Sequence, residues 1–357
     1  MKYYAYVGCD TDAKKEGIHI LAVNADTGQF ERVGILSGVM ETIYFALNRA
    51  HTHLYTVQAN PDLPRGQNGV IACYTIGDNH LLEAGYAKLG VGAPCHIALD
   101  ADEKVAAWAD YGSAVSGICE ILPDGSLSTD TPVTVKHTGE LGPNKARQEK
   151  PHAHCSLFTP DNKYLCVVDL GLDQVKAYRF AQWKQGLAEV PEMTVKTAPG
   201  AGPRHLTFHP SGEWMFLLNE LGNTVSSYAY TGGAFKHICT LPTLPDDFTG
   251  RSTSAAIKTT ADGKIVLTSN RGHDSIAAFA FDAQTGQLRF MAHSMLAGKT
   301  PRDFELMPGE RFALVGHQDS NEIRSYAFDA SSGKLTPVHD PLPAHRPLCF
   351  KFGARVP

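Results

Sequence analysis

Three ionisable residues stand where turn formers are expected. In "APGAGPRHLTFHPSGEWMFLLNELG", residues 198–222, Arg204 and His205 open one short apolar run and Glu220 closes the next. Strand ends are ordinarily Gly, Pro, Asn or Asp. A second polar concentration is "RQEKPHAHC", residues 147–155, where His152 and His154 stand at i and i+2, on one side of a strand. Arginine holds anions through a planar fork, and His and Glu exchange protons near neutral pH. Such a set suits an anionic ligand with a hydrolysable or protonatable group. The H-x-H pair could also suit a metal, but no third ligand is apparent nearby in sequence, and no metal or other cofactor is expected.

The composition narrows the class. A formal charge of −5 and a pI near 6.3 argue against nucleic acid or an anionic membrane as the general partner. No apolar stretch has signal-peptide or membrane-spanning character. Eight cysteines look like a disulfide set by count, but a chain of 357 residues with 43% hydrophobic residues does not need one. Cys73, Cys119, Cys166 and Cys349 fall inside apolar runs, so buried reduced thiols and a cytoplasmic location are expected. Walker, G-x-S-x-G and HExxH motifs are missing.

What positions the candidate residues is a repeat. "GPRHLTFHPSGEWMFLLNELGNTVSSYAY" has cousins starting near Thr42, Ala93, Lys150, Ser252 and Thr300. Each reads as strand, tight turn, apolar strand, polar loop, strand ending Tyr/Phe-x-apolar, turn, strand. Equivalent positions are Thr42, Pro94, Ala153, Pro203, Ser254, Pro301 and Pro347, spaced by about fifty residues. Pro347 heads only "RPLCFKFG", and the N-terminal "YYAYVG" and "GIHILAVN" supply the strands it lacks. The expected fold is all-β: one seven-bladed β-propeller domain over residues 1–357, with four-stranded blades. Its ring is closed by the N- and C-terminal strands in one blade, which removes open sheet edges. A WD-type scaffold is the bland alternative, but its Gly-His and Trp-Asp signature is missing.

In such blades the start of the first strand and the end of the second lie at one channel mouth. Across the repeats, the Arg204 position carries Ile43, Cys95, His154, Arg204, Ala255, Arg302 and Leu348. The Glu220 position, allowing one residue of slippage, carries Ala59, Tyr111, Leu170, Glu220, Arg271, His317 and Cys9. Charge and imidazole therefore fall in consecutive units three to six. The segment 128–150, with Lys145 and Arg147, is polar enough to fold over the mouth as a lid. Asp169 is open between holding a loop and serving the site.

These blocks, with "SNRG" and "TPRDFEL", resemble the lactonase family of seven-bladed propellers. That family includes propeller-type bacterial 6-phosphogluconolactonase and the fungal 3-carboxy-cis,cis-muconate lactonizing enzyme. The resemblance implies a site of His154, Arg204, Glu220 and Arg271. It also implies an anionic lactone as partner, most simply 6-phospho-D-glucono-1,5-lactone. Further substrate contacts are expected from His152, His205, Arg147, Lys145, Asp169, Arg302 and His317. A muconate-type cycloisomerase and a non-catalytic propeller binding a metabolite or protein partner are the alternatives.

Overall fold

The structure, a computed structural model, describes residues 1–11, 16–92 and 94–356. Ala93, where the second repeat begins, lies outside them. Seven antiparallel sheets are opened by the strands Met40–Leu47, His96–Leu99, Ala153–Phe158, Pro203–Phe208, Thr253–Thr259, Pro301–Leu306 and Pro347–Arg355. These match the seven repeat starts, and the fold is the expected seven-bladed β-propeller. In the third and sixth blades the outermost strand is broken into two short pieces, both pairing with the same neighbour. The seventh blade joins the chain ends: Lys2–Cys9 pairs with Pro347–Arg355, with Tyr6 opposite Lys351 and Val7 opposite Phe350. Among the described residues no helix is long and apolar enough to cross a membrane.

The chain divides into two compact units, residues 10–18 with 34–204 and residues 1–9 with 19–33 and 205–357. In the 34–204 unit the strand Val105–Asp110 is buried at every position. Side chains alternate across a strand, so Ala106 and Trp108 enter one core with Tyr55, Val57 and Ile71. Val105, Ala107 and Ala109 enter the other, with Phe158, Leu165 and Tyr178. The 205–357 unit repeats the device. Leu267 packs with Phe304 and Val315, and its neighbour Val266 packs with Phe216 and Phe279. Two-sided burial explains why second strands read as unbroken apolar runs.

One expectation is corrected. Within the segment 128–150, Val133–Lys136 is a strand that pairs with Val115–Ile118 and completes the second blade. Residues 128–132 and 137–150, on either side of that strand, are loop. The eight cysteines are unbridged, and burial pushes the thiols of Cys73 and Cys119 up to about 12.

Candidate functional site

The third blade brings the two histidines together with Tyr111. His152 is buried, its ring stacked on Tyr111 at 4.0 Å and 15°. His154, also buried, meets the same tyrosine ring edge-on at 5.3 Å. His152 Nδ1 donates to the Tyr111 carbonyl at 2.9 Å, and Nε2 faces the Glu149 carboxylate at 3.2 Å. Both ring nitrogens thus face oxygen atoms, which fixes the orientation of the ring. Glu149's own backbone N–H and the His152 ring hold its carboxyl below the usual carboxylate range. Arg147 Nη2 lies 3.4 Å from the Tyr111 hydroxyl, and Lys145 is exposed in the same loop.

Backbone irregularity aims these side chains. The pairing of Ala153–Phe158 shifts between Ala153 and Cys155, leaving His154 in a bulge. The same shift occurs between Pro301 and Asp303, at Arg302, and opposite Pro347 and Cys349, at Leu348. A bulge turns a side chain out of the regular pleat. It thus recurs at the repeat position that carries His154 and Arg302, and the sequence repeat gives no sign of it.

Asp169 and His317 occupy the last paired residue of their second strands, one residue before the repeat position that carries Glu220. The register of second and third strands aligns Asp110, Asp169, Asn219, Asn270 and His317. All five are buried. The next residues along the chain, Tyr111, Leu170, Glu220, Arg271 and Gln318, are the equivalents of Glu220 in their repeats. The repeat alignment therefore places His317 one residue out, and Cys9 likewise, whose pairing with Pro347 matches that of His317 with Pro301. Gln318 and Asp10 take the Glu220 position, so polar residues there are not confined to units three to six. His317 Nε2 is 2.9 Å from the Tyr326 hydroxyl, and burial lowers its pKa to about 4. Asp169 accepts hydrogen bonds from the backbone N–H of His152 at 2.8 Å and of Leu172 at 3.0 Å, and from His137 Nδ1 at 2.8 Å. His137, in the segment expected as a lid, does not stand out in the sequence. Its only signal is an imidazole next to a strand end.

In the 205–357 unit, Glu220 and Arg271 form an ion pair, Nη2 to Oε2 at 2.9 Å, with side chains 3% and 15% exposed. Arg271 Nη2 also donates to the Ser254 carbonyl at 3.3 Å. Ser254 N–H in turn donates to the Glu220 carbonyl at 3.1 Å. The fourth and fifth blades therefore fix this pair through their backbones as well as through charge. Arg204 and His205 are adjacent on Pro203–Phe208 and both buried, whereas Arg302 is half-buried.

No group of three or more His, Cys, Asp or Glu able to hold a metal occurs among the described residues. A cleft of ≈ 620 Å³ in the 34–204 unit is lined by Asp102, Glu103, Glu120 and Asp124 and by none of the candidates. Its charge is wrong for an anion.

Residues 4–352 match the family model described as "Lactonase, 7-bladed beta-propeller". The 6-phosphogluconolactonase of Bacillus subtilis (strain 168) is 34% identical over 356 residues, 98% of either chain. A 6-phosphogluconolactonase of Formosa agariphila is 30% identical over 347 residues, 92% of this chain and 94% of that one. The structure of the Pseudomonas aeruginosa periplasmic gluconolactonase PpgL aligns over 100% of both chains with a TM-score of 0.92 and 28% identity. Blades, closure and these relatives agree: the chain belongs to the lactonase family of seven-bladed β-propellers and is a lactone-hydrolysing enzyme.

Proposed function

We propose that this lactonase opens 6-phospho-D-glucono-1,5-lactone to 6-phosphogluconate. The observation that carries the reading is the buried Glu220–Arg271 pair, a carboxylate held beside a fork of hydrogen-bond donors at a strand end. The names of two relatives support the phosphorylated substrate. A phosphorylated sugar acid and the buried thiols support the cytoplasm as its compartment.

In the proposed reaction a water oxygen attacks the lactone carbonyl carbon and gives its proton to a base. The carbonyl oxygen takes up negative charge facing an arginine. The bond to the ring oxygen then breaks, and that oxygen receives a proton from an acid. Glu220 and His154 share the roles of base and acid. Arg204 and Arg271 contact the oxyanion and the anionic substrate. Arg147 and Lys145 hold the phosphate, with His152, His205 and Arg302 as further contacts.

The test is initial-rate hydrolysis of 6-phosphoglucono-1,5-lactone, glucono-1,5-lactone and a carboxymuconolactone, each corrected for spontaneous opening. The phosphorylated lactone should have the highest kcat/KM. A preference for the unphosphorylated sugar lactone would overturn the assignment of substrate. Turnover of the muconate compound alone would overturn the sugar-acid reading.

A further inference from the structure

Among the described residues one turn position recurs in five blades with a left-handed backbone. Ala114, Asp173, Asn223, Asp274 and Asn321 have φ of 59°, 54°, 49°, 54° and 55°. Each precedes the first paired residue of a third strand, as Asp173 precedes Gln174. Asp and Asn tolerate this conformation better than most residues. Four of the five also use the side chain at a distance. Asp274 Oδ1 accepts from Thr300 N–H at 2.7 Å, just before Pro301 and Arg302. Asn321 Oδ1 accepts from Arg346 N–H at 3.0 Å, just before Pro347 and Leu348. Asn223 Nδ2 donates to the Ser252 carbonyl at 3.0 Å, just before Thr253. Each turn thereby clamps the chain where it enters the following blade.

The clamp in front of Arg204 is the most elaborate. Asp173 is 7% exposed. Its Oδ2 accepts from Gly200 N–H at 2.7 Å and its Oδ1 from Gly202 N–H at 2.7 Å. These glycines have φ of 81° and 56°, so "GAG" turns sharply before Pro203 and Arg204. Oδ1 also accepts from Gln148 Nε2 at 2.8 Å, and that amide nitrogen donates to the Leu170 carbonyl at 2.9 Å as well. Gln148 is flanked by Arg147 and Glu149, so one carboxylate ties the approach to Arg204 to the loop bearing Arg147. Charge-assisted bonds to three donors make this a stiff joint.

We propose that Asp173 is a positioning residue of the lactonase, setting Arg204 and Arg147 for the anionic substrate. The proposal rests on the reading of those arginines as substrate contacts. Misplacement of a binding group by an ångström can cost about a hundredfold in rate. Asp173→Ala should therefore lower kcat/KM on 6-phosphoglucono-1,5-lactone about ten- to a hundredfold, mainly through KM. Asp173→Asn keeps the turn conformation and one acceptor oxygen and should recover part of the loss. Asn321→Ala removes the equivalent clamp ahead of Leu348 and should leave kinetics at wild type. All are compared where denaturant curves show the proteins folded.

Amide hydrogen exchange at Gly200 and Gly202 supplies a readout independent of turnover. It should accelerate in Asp173→Ala and not in Asn321→Ala. A folded Asp173→Ala enzyme with wild-type kinetics would overturn the proposal, as would unchanged protection of the two glycine amides. If the wild-type protein opens no lactone, the functional reading fails and the exchange result alone decides the clamp.

Discussion

The ends of the third blade and of the fourth and fifth blades carry the same repeat positions but are held by different forces. In the third blade most of the work is done by hydrogen bonds to backbone groups, by ring stacking and by one buried carboxylate that gathers several donors. Asp169 gathers two N–H groups and His137, and His152 is stacked on Tyr111 and bonded to its carbonyl. Between the fourth and fifth blades two opposite charges meet at 2.9 Å in a buried setting. Hydrogen-bonded backbone fixes position at modest net energy, about 1 kcal/mol per bond. A buried ion pair contributes little net stability yet is costly to break from one side, at about 3–5 kcal/mol. Hydrogen bonding thus fixes geometry in the third blade, and the Glu220–Arg271 pair balances buried charge.

The largest effect is expected where that difference is attacked directly. Glu220→Gln keeps shape and a hydrogen bond to Arg271 while removing the titrating group. General acid–base groups contribute about 10²–10⁴-fold, so kcat should fall by that much with little change in affinity for 6-phosphogluconate. The pH–rate profile should lose the limb that reports the carboxylate. A variant with near-normal kcat and an unaltered profile would make Glu220 only a counter-ion and leave His154 as the base.

His317 and Asp169 are two solutions at one buried repeat position. His317 has a folded pKa of about 4 because burial disfavours the imidazolium, against about 6.5 in an unfolded chain. Above pH 6.5 the ring is neutral in both states and nothing is lost. Between pH 6.5 and 4 only the unfolded state takes up the proton, so stability falls as the pH is lowered, by about 3 kcal/mol in all. Denaturant unfolding from pH 7 to pH 4 should show this loss, and His317→Gln should show a slope shallower by up to one proton. Parallel curves for the two proteins would mean that His317 is not held neutral.

The blades are legible from sequence because the repeat and the turn residues declare them, and the orphan strand at Pro347 declares the closure. Arg204, Glu220 and Arg271 stand out in the sequence because charge at an apolar repeat position is conspicuous. His317 and Cys9 are misplaced because a strand has a period of two, so one residue of slippage moves a side chain to the other face. Asp173 escapes notice because an Asp in "GLDQV" looks like any turn former, and its partners Gly200, Gly202 and Gln148 are distant in sequence. His137 and the strand Val133–Lys136 are hidden in a segment that reads as polar loop.

The ion pair between Glu220 and Arg271 needs more than charge if the shape of the guanidinium matters. Arg271→Lys keeps a cation beside Glu220, but an ammonium has no planar fork. In the wild-type protein the guanidinium reaches Glu220 and the Ser254 carbonyl from one rigid plane. A lysine can satisfy the carboxylate only as a point charge and loses the second direction. Loss of one charge-assisted hydrogen bond to the bound substrate is worth about 1.5–3 kcal/mol, so kcat/KM should fall by roughly ten- to a hundredfold. Thermal stability should change little, since the buried carboxylate keeps its counter-charge. If Arg271→Lys retains wild-type kcat/KM, charge alone suffices at this position and the anion contacts must come from other arginines. A severe loss of stability would show instead that the fork serves the packing of the fourth blade on the fifth.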